Sequence, residues 1–207
     1  MKRKIRLLIV DDHAIVRQGL VSILEFQPDF KVVGEAEDGA EAITKANETK
    51  PDVIIMDMMM PILDGAEATA RIRQTDKTVK ILLLTSFGNS SDISLALENG
   101  ANGAISKTSP KDELFQCIRN VAAGKRIISS EIQQAMMSNG GDNALSDRQI
   151  EILQSLSQGF TNSDIAKQVG LTTAGIKFHL LAIFRKLGAA NRSEAVAIAL
   201  RKHLLKS

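Results

Sequence analysis

The chain has little cysteine and few aromatic side chains: its 207 residues include one Cys, no Trp and no Tyr. The single Cys117 excludes an intramolecular disulfide framework and any metal site built from several cysteines. No apolar run is long enough to span a bilayer. The apolar stretch after the basic N-terminus stops at Asp11-Asp12, with no small-residue cleavage site behind it. We therefore expect a cytoplasmic protein with no membrane partner.

The chain has little net charge overall, but its basic and acidic side chains are unevenly distributed. The formal net charge is +2, yet residues 1–122 have 15 basic and 18 acidic side chains, whereas residues 144–207 have 9 basic and 4 acidic ones. A basic C-terminal part suggests an anionic partner, and nucleic acid is the leading candidate. A net charge of this size is also common in soluble domains that bind no nucleic acid. The motifs therefore have to decide whether this part binds nucleic acid.

Short apolar, β-branched runs alternate with longer amphipathic stretches over the first 122 residues. We predict strands at "IRLLIV", "KVVGEA", "DVIIMD", "KILLLTS" and "GAIS", and helices at 13–26, 39–49, 64–74, 90–99 and 110–123. Parallel strands need crossover helices, and strands covered on both faces are apolar throughout. The fold class predicted for residues 1–122 is therefore α/β, with a five-stranded parallel, doubly wound, flavodoxin-like sheet.

The strand–helix pattern stops after residue 122. Residues 123–143 are predicted to be a linker, with a short helix at 130–137 before the flexible "SNGGDN". Residues 144–207 are predicted to form an all-α domain of four helices, which capping residues and glycines separate. A short turn with Gly170 joins the second and third of these helices, which is typical of a helix-turn-helix.

Polar side chains follow four of the predicted strands. Asp11 and Asp12 follow the first strand, Asp57 the third, Thr85 the fourth and Lys107 the fifth. Because ligands bind outside the carboxyl ends of parallel strands, we expect these side chains to converge on one pocket. Carboxylates that close repel one another, and hard oxygen ligands without a convergent His or Cys favour Mg²⁺. A carboxylate can also be the nucleophile of a phosphoryl transfer.

Each of these residues also has an ordinary structural interpretation. Asp11 and Asp12 suit a turn, Asp57 suits the end of a strand and Lys107 suits a solvated surface. It is their combination at the ends of the strands that favours a functional site.

The strand-end residues follow a known order. With Pro61 and Asp64-Gly65 after the central Asp, the set Asp11-Asp12, Asp57, Thr85 and Lys107 resembles the receiver domain of bacterial response regulators over residues 1–122. The resemblance implies that Asp57 accepts a phosphoryl group from the phosphohistidine of a sensor histidine kinase. It also implies that Thr85 and Lys107 contact the phosphoryl oxygens.

The same resemblance implies a Mg²⁺ site. Asp12 and Asp57 would bind the ion together with the backbone carbonyl of Met59, while Asp11 would act through water. The Met59 side chain stands where it would shade an acyl phosphate from attacking water.

One position departs from the receiver pattern. Ala104 lies three residues before Lys107, where the family commonly has an aromatic residue that reorients together with the threonine. Phe87 could act as a partial substitute, but packing is the preferred interpretation of an isolated Phe. The departure concerns how the domain switches, and it does not touch the phosphorylation chemistry.

The C-terminal part carries a second set of motif residues. The set consists of Gly159, Asn162, Ile165-Ala166, Lys177, His179, Lys186-Leu187-Gly188, Arg192 and Ala195-Val196. With these residues, 145–204 resemble the four-helix DNA-binding domain of NarL/LuxR-type (NarL/FixJ) response regulators. The resemblance implies binding to double-stranded DNA, and helix-turn-helix proteins usually bind as homodimers on paired half-sites.

The predicted recognition helix begins near Thr173. The candidate DNA contacts are Thr173, Lys177, Phe178, His179, Arg185, Lys186 and Arg192. Thr173, Lys177 and His179 suit base edges and Phe178 suits a thymine methyl group, whereas the other three suit phosphates. The ordinary structural alternatives are a half-buried His179 and solvated Arg185 and Lys186 side chains. Gly175 stands where the family often has Thr, and it removes a possible phosphate contact.

The two resemblances together predict a DNA-binding transcriptional response regulator of a two-component system. Phosphorylation of Asp57 would change how the receiver domain pairs or docks. It would so release or dimerise the C-terminal DNA-binding domain, which we call the DNA reader. One alternative is an orphan regulator whose receiver domain serves dimerisation or ligand sensing without phosphorylation. A Mg²⁺-dependent phosphohydrolase is more distant, because it would need a second positioned acid or base and none is evident. We therefore do not expect an enzyme.

Overall fold

The computed structural model describes residues 3–86, 90–138 and 145–205, apart from the side chains of 90, 91 and 135–138. Phe87 and residues 139–143 of the predicted linker lie outside the described residues. The described chain consists of a parallel sheet with helices on both faces, followed by a helical bundle.

One parallel sheet organises the first part of the chain. Its strands are β1 (Ile5–Val10), β2 (Phe30–Ala36), β3 (Val53–Asp57), β4 (Lys80–Thr85), β5 (Gly103–Ser106) and β6 (Ile127–Ile128). They are hydrogen-bonded in the order β2-β1-β3-β4-β5-β6, and every pairing is parallel. This arrangement confirms the predicted parallel α/β fold.

The predicted number of five strands is wrong, because the described sheet has six. β6 lies in the segment predicted to be a linker. Ile127 N–H donates to the Asn102 carbonyl at 3.1 Å, and Ser129 N–H donates to the Ala104 carbonyl at 3.1 Å. A run of two isoleucines is too short to show strand periodicity, so only its pairing with β5 identifies it.

Helices cover both faces of the sheet. They are α1 (Ala14–Glu25), α2 (Gly39–Thr49), α3 (Gly65–Thr75), α4 (Ser90–Glu98), α5 (Lys111–Ala122) and α6 (Ser130–Ser138). The apolar side chains of α1 and α5 belong to one core cluster, and those of α2, α3, α4 and α6 belong to the other. None of the helices in the described ranges is long and apolar enough to cross a membrane.

The central strands supply both cores. Along β3, Ile54 and Met56 belong to the core cluster under α2, α3 and α4, whereas Val53 and Ile55 belong to the cluster under α1 and α5. Successive side chains of a strand point to opposite faces, so a strand buried on both faces is apolar at every position. The same rule explains the apolar runs of β1 and β4.

The C-terminal bundle consists of α7 (Asp147–Ser157), α8 (Asn162–Val169), α9 (Thr173–Leu187) and α10 (Arg192–Arg201). Ser146, Thr161, Thr172 and Asn191 each accept a hydrogen bond from the first turn of the helix that follows. Gly170 and Gly188 close α8 and α9 in the left-handed conformation. The predicted all-α helix-turn-helix domain is therefore confirmed, although α10 ends earlier than expected.

The described part of the predicted linker continues the α/β unit. The short helix expected at 130–137 is present as α6, and its Ile132 is buried in the core cluster beneath α4. The division into residues 1–122, 123–143 and 144–207 stays a prediction. β6 and α6 nevertheless pack as additions to the sheet.

The close approach of β5 and β6 gives a test of the sixth strand. A methyl group on Gly103 would overlap the Ile127 carbonyl oxygen, so we expect Gly103→Ala to lower the free energy of unfolding by about 1–3 kcal/mol. Gly19 is at an exposed position of α1, and a methyl group added there meets nothing within 4 Å. As the control, Gly19→Ala should leave the free energy of unfolding unchanged or raise it by about 0.5–1 kcal/mol. Urea denaturation measures both, and equal stability of the two variants would contradict the pairing.

Candidate functional site

The strand-end residues predicted from the sequence meet at one edge of the sheet. Asp11 follows β1, Asp57 ends β3, Thr85 ends β4 and Lys107 follows β5. These strands are consecutive neighbours in the sheet, so their carboxyl ends lie side by side. Asp11, Asp57 and Thr85 are buried, and Lys107 is half-buried.

Lys107 joins the two buried carboxylates. Its Nζ lies 2.7 Å from Asp11 Oδ2 and 2.8 Å from Asp57 Oδ2. Two like charges about 4 Å apart repel by about 4 kcal/mol at an effective dielectric constant near 20, and a shared cation offsets that repulsion. Burial lowers the pKa of Lys107, but its hydrogen bonds to Asp11 and Asp57 outweigh burial and raise it. Burial raises the pKa of Asp57, against the opposing effect of Lys107.

The carboxylates form a group that is suited to a divalent cation. Ligand atoms of Asp11, Asp12, His13 and Asp57 all lie within 4.8 Å of one another. Asp12 Oδ1 is buried and makes no hydrogen bond, although His13 Nδ1 lies 2.8 Å away. A buried carboxylate oxygen without a hydrogen bond is costly, and a hard cation would satisfy it. The acidic residues present therefore fit such an ion.

His13 corrects one expectation about this group. We expected no histidine to converge on the carboxylates, yet His13 Nδ1 lies beside both Asp11 and Asp12. The reason is local: His13 N–H donates to Asp11 Oδ1 at 2.9 Å, and this tight turn brings the ring to the rim of the site. The ring is largely exposed, so the buried part of the group still consists of oxygen ligands.

Met59 is next to the Asp57 carboxylate through its backbone. Its N–H approaches Asp57 Oδ1 at 3.4 Å, and the residue is 45% exposed. Gly65 lies beneath the same residue, because a Cβ there would be 2.5 Å from the Asp57 carbonyl oxygen. Asp57 is thus enclosed by its own strand, by the start of α3 and by Lys107, and the Met59 side chain stands at the solvent side.

The candidate DNA contacts on α9 fall into two groups. Thr173 and Lys177 are exposed. Phe178 is half-buried against the core cluster of the α/β unit, and His179, only 1% exposed, lies 2.6 Å from Asp64 Oδ2 through its Nε2. Two of the four predicted base-reading side chains therefore face the α/β unit in this conformation.

The predicted phosphate contacts also have partners within the protein. Arg185 lies 2.6 Å from Glu98 of α4. Lys186 is buried and donates to Gln149 Oε1 at 2.9 Å, so it is not solvated. Arg192 donates to the carbonyls of Leu156 and Phe160 and so joins α10 to the end of α7. Lys186 and Arg192 thus have structural roles inside the bundle in this conformation.

An acidic surface at the start of α3 and on α4 faces the C-terminal bundle. We define this acidic surface by Asp64, Glu67, Asp92 and Glu98, which lie against His179, Gly175, Ser146 and Arg185 respectively. A Cβ on Gly175 would lie 2.6 Å from Glu67 Oε2, so a larger residue here would collide with the surface. Motif reasoning missed Glu67, Asp92 and Glu98. The one available signal was Gly175, because a glycine inside a helix often marks a close approach.

The buried ionisable groups of this contact shift one another's pKa values. Burial lowers the pKa of His179, but the hydrogen bond to Asp64 outweighs burial and raises it. Burial would raise the pKa of Asp64, but His179 outweighs burial and lowers it. Burial raises the pKa of Glu67 and of Asp92. The contact between His179 and Asp64 therefore shifts both pKa values in the direction that favours a charged pair.

Comparisons with known proteins give the same two parts. The family profile described as response regulator receiver domain matches residues 7–119, and that of bacterial regulatory proteins, luxR family, matches residues 143–199. The transcriptional regulatory protein LiaR of Bacillus subtilis (strain 168) is 38% identical over 97% of this chain and 99% of its own length.

Solved structures resemble the chain over nearly its whole length. The response regulator ChrA of a heme-sensing two-component system is 35% identical, with a TM-score of 0.59 over 99% of this chain and 100% of ChrA. The response regulator RcsB in complex with DNA is 25% identical, with a TM-score of 0.64 over 96% of this chain and 98% of RcsB. The chain therefore belongs to the two-component response regulators that join a receiver domain to a LuxR-type DNA-binding domain and regulate transcription.

Proposed function

We propose that this response regulator is switched by phosphorylation of Asp57. A sensor histidine kinase would supply the phosphoryl group: an Asp57 oxygen attacks phosphorus, the P–N bond of the phosphohistidine breaks, and the imidazole leaves with a proton. The observation that supports this role best is Lys107, whose ammonium group lies within 2.8 Å of both Asp11 and Asp57 at the strand ends. A cation held there can donate hydrogen bonds to the oxygens of an incoming phosphoryl group.

The same site would hold Mg²⁺ as its cofactor. Asp12 and Asp57, with the Met59 backbone carbonyl and with Asp11 through water, are the groups that would hold it. Bound there, the ion neutralises charge that develops on the phosphoryl oxygens. The clustering of ligand atoms of Asp11, Asp12 and Asp57 within 4.8 Å of one another supports this assignment.

The DNA reader would be released by the same event. In the closed conformation Phe178, His179 and Arg185 contact the receiver domain, so α9 is not free to enter a major groove. Phosphorylation would favour separation of the domains. The freed reader would then bind double-stranded DNA as a homodimer through Thr173, Lys177 and Phe178, with His179, Arg185, Lys186 and Arg192 as further candidate contacts.

Replacing the acceptor carboxylate tests the phosphorylation step. Incubated with acetyl phosphate and Mg²⁺, the wild-type chain should gain one phosphoryl adduct by intact mass, and Asp57→Asn should gain none because its amide is not a nucleophile. Asp112→Asn, on the exposed first turn of α5, is the matched control and should be modified like the wild type. An unmodified wild type would favour the orphan regulator instead.

The Met59 side chain gives a second test at the same site. We expect Met59→Asn to shorten the lifetime of the phosphorylated protein, since a polar side chain beside Asp57 admits and orients water where an apolar one excludes it. Decay of the adduct after removal of the donor measures this, and Met59→Leu should keep the wild-type lifetime. Equal lifetimes of the asparagine and leucine variants would leave Met59 with a packing role only.

The His179–Asp64 pair makes closure depend on pH. The groups that face His179 are Asp64 and Glu67 of the α3 region, Asp92 on α4 and Arg148 on α7. Closure raises the pKa of His179 above about 6.5, the ordinary histidine value that applies in the open state. The contribution of the His179–Asp64 pair to the stability of the closed state is therefore complete below that pH. That contribution is lost as pH rises through the raised pKa, with the closing constant falling at most about tenfold per pH unit for one proton.

Small-angle scattering of the unphosphorylated protein measures this dependence. The radius of gyration should grow between neutral and alkaline pH as the domains separate. His179→Gln keeps a hydrogen-bond donor without a titrating charge, so its radius should stay flat over the same range. Identical pH profiles for wild type and variant would remove the pair from control of closure.

A further inference from the structure

His13 begins α1 without capping it. It occupies the N-cap position of α1, and its side chain makes no hydrogen bond to the first turn. Helix starts favour Ser, Thr, Asp and Asn, because a short side-chain oxygen accepts a hydrogen bond from the first-turn N–H groups. Asp38 does this at the start of α2, where it accepts from Ala40 and Glu41. α1 lacks this stabilisation, and a departure from a local rule is expected at functional sites.

The turn before α1 fixes where the His13 ring lies. The backbone N–H of His13 donates to Asp11 Oδ1 at 2.9 Å, and the Arg17 guanidinium donates to the Asp11 carbonyl at 2.6 Å. Arg17 N–H in turn donates to the His13 carbonyl at 3.0 Å, and Asp11 N–H donates to the Ala36 carbonyl of β2 at 3.2 Å. The ring is therefore held at the rim of the site, where its side chain is 67% exposed and accessible to an ion from solvent.

The ring nitrogen lies where a ligand of a six-coordinate ion would lie. We call Asp11, Asp12, His13 and Asp57 the strand-end group, because one ligand atom of each lies within 4.8 Å of the others. His13 Nδ1 is 2.8 Å from Asp12 Oδ1 and 3.4 Å from Asp11 Oδ1. Neighbouring ligands of an octahedral ion with bonds of about 2.0–2.1 Å are about 3.0 Å apart. Both measured distances are close to that separation, so His13 Nδ1 and Asp12 can bind one ion together.

An imidazole nitrogen changes which ions such a site prefers. Mg²⁺ favours oxygen ligands, gives up its waters reluctantly and gains little from a nitrogen ligand. First-row transition cations such as Fe²⁺, Co²⁺ and Ni²⁺ bind nitrogen well, and their affinity for a given site rises along that series. A site with carboxylates and one imidazole therefore discriminates against Mg²⁺ more strongly than a site with carboxylates alone.

We propose that His13 is an additional ligand of the strand-end group, and that it makes this site prefer a first-row transition cation to Mg²⁺. The inference rests on the proposed metal site, but it does not require that Asp57 is phosphorylated. His13 Nδ1 would take the place of one water on the ion. The same nitrogen either donates a hydrogen bond to Asp12 or presents its lone pair to a metal, and the two roles can be separated by experiment.

His13→Asn separates the two roles. The asparagine amide keeps a hydrogen-bond donor near the position of Nδ1 and a hard oxygen for Mg²⁺, but it has no imidazole nitrogen. Asn is also a favoured N-cap residue, so α1 should remain folded. The chain has three histidines, and His203, exposed beyond the end of α10, gives the matched control His203→Asn. Each variant is the full chain without a polyhistidine tag.

Titration calorimetry measures the dissociation constants for Co²⁺ and for Mg²⁺. His13→Asn should weaken Co²⁺ binding by about tenfold or more, the loss that even a supporting residue of a metal site causes. It should leave Mg²⁺ binding unchanged, and His203→Asn should match the wild type for both ions. Excess Mg²⁺ should displace Co²⁺ from the wild type, because the two ions share one site.

Proton NMR of the Co²⁺-loaded protein reports the ligand directly. A coordinated imidazole gives an exchangeable N–H signal that the unpaired electrons of Co²⁺ shift far outside the normal range. Wild type and His203→Asn should show this signal, and His13→Asn should lack it. A residue that only pairs with the carboxylates gives no such signal, so the spectrum distinguishes a ligand from a hydrogen-bond donor.

The outcomes separate this inference from the proposed function. Equal Co²⁺ affinities of wild type and His13→Asn would overturn the inference, as would a shifted signal that only His203→Asn removes or Co²⁺ that Mg²⁺ does not displace. In each of these cases a phosphoryl adduct on Asp57 would leave the proposed function standing. If Asp57 forms no adduct while His13→Asn loses Co²⁺ affinity and the shifted signal, the phosphorylation proposal fails and His13 remains a metal ligand.

Discussion

The parallel alignment of the strands is the constraint on which the site depends. Because β1, β3, β4 and β5 run in one direction and are neighbours, the residues that end them must share one edge of the sheet. Two carboxylates then lie close enough to need a common counter-charge, and Lys107 provides it. One connection that leaves this edge, between β3 and α3, also contacts the DNA reader, because Ile62 N–H donates to the Gly170 carbonyl at 3.0 Å.

The acidic surface and the DNA backbone offer the recognition helix the same kind of partner. Arg185 meets a carboxylate of α4, and His179 meets one that caps α3. From the sequence, Arg185 was assigned to the phosphates of DNA and His179 to base edges. The receiver domain supplies anions at fixed positions instead, together with an apolar patch for Phe178. Competition between the two partners is therefore electrostatic as well as steric.

Most of the architecture could be predicted because periodicity and capping are local signals. The apolar runs marked β1 to β5. Ser146 and Asn191 marked two helix starts, and the pairs Thr161-Asn162 and Thr172-Thr173 marked the other two to within one residue. β6 was missed because two residues have no periodicity. His13 was missed because its approach to Asp12 depends on one tight turn. The partners that bury His179 and Lys186 could not be predicted, since Asp64 and Gln149 lie far from them along the chain.

The placement of α6 against the sheet shortens the tether between the domains. α6 ends at Ser138 and the cap of α7 is Ser146, so only a brief stretch of chain separates two folded units. A short connection keeps the reader at an effective concentration in the millimolar range near the acidic surface. Weak contacts then suffice for closure, and a receiver domain added in trans would be a poor inhibitor. The length of the connection thus helps to set the binding free energy that DNA needs in order to separate the two domains.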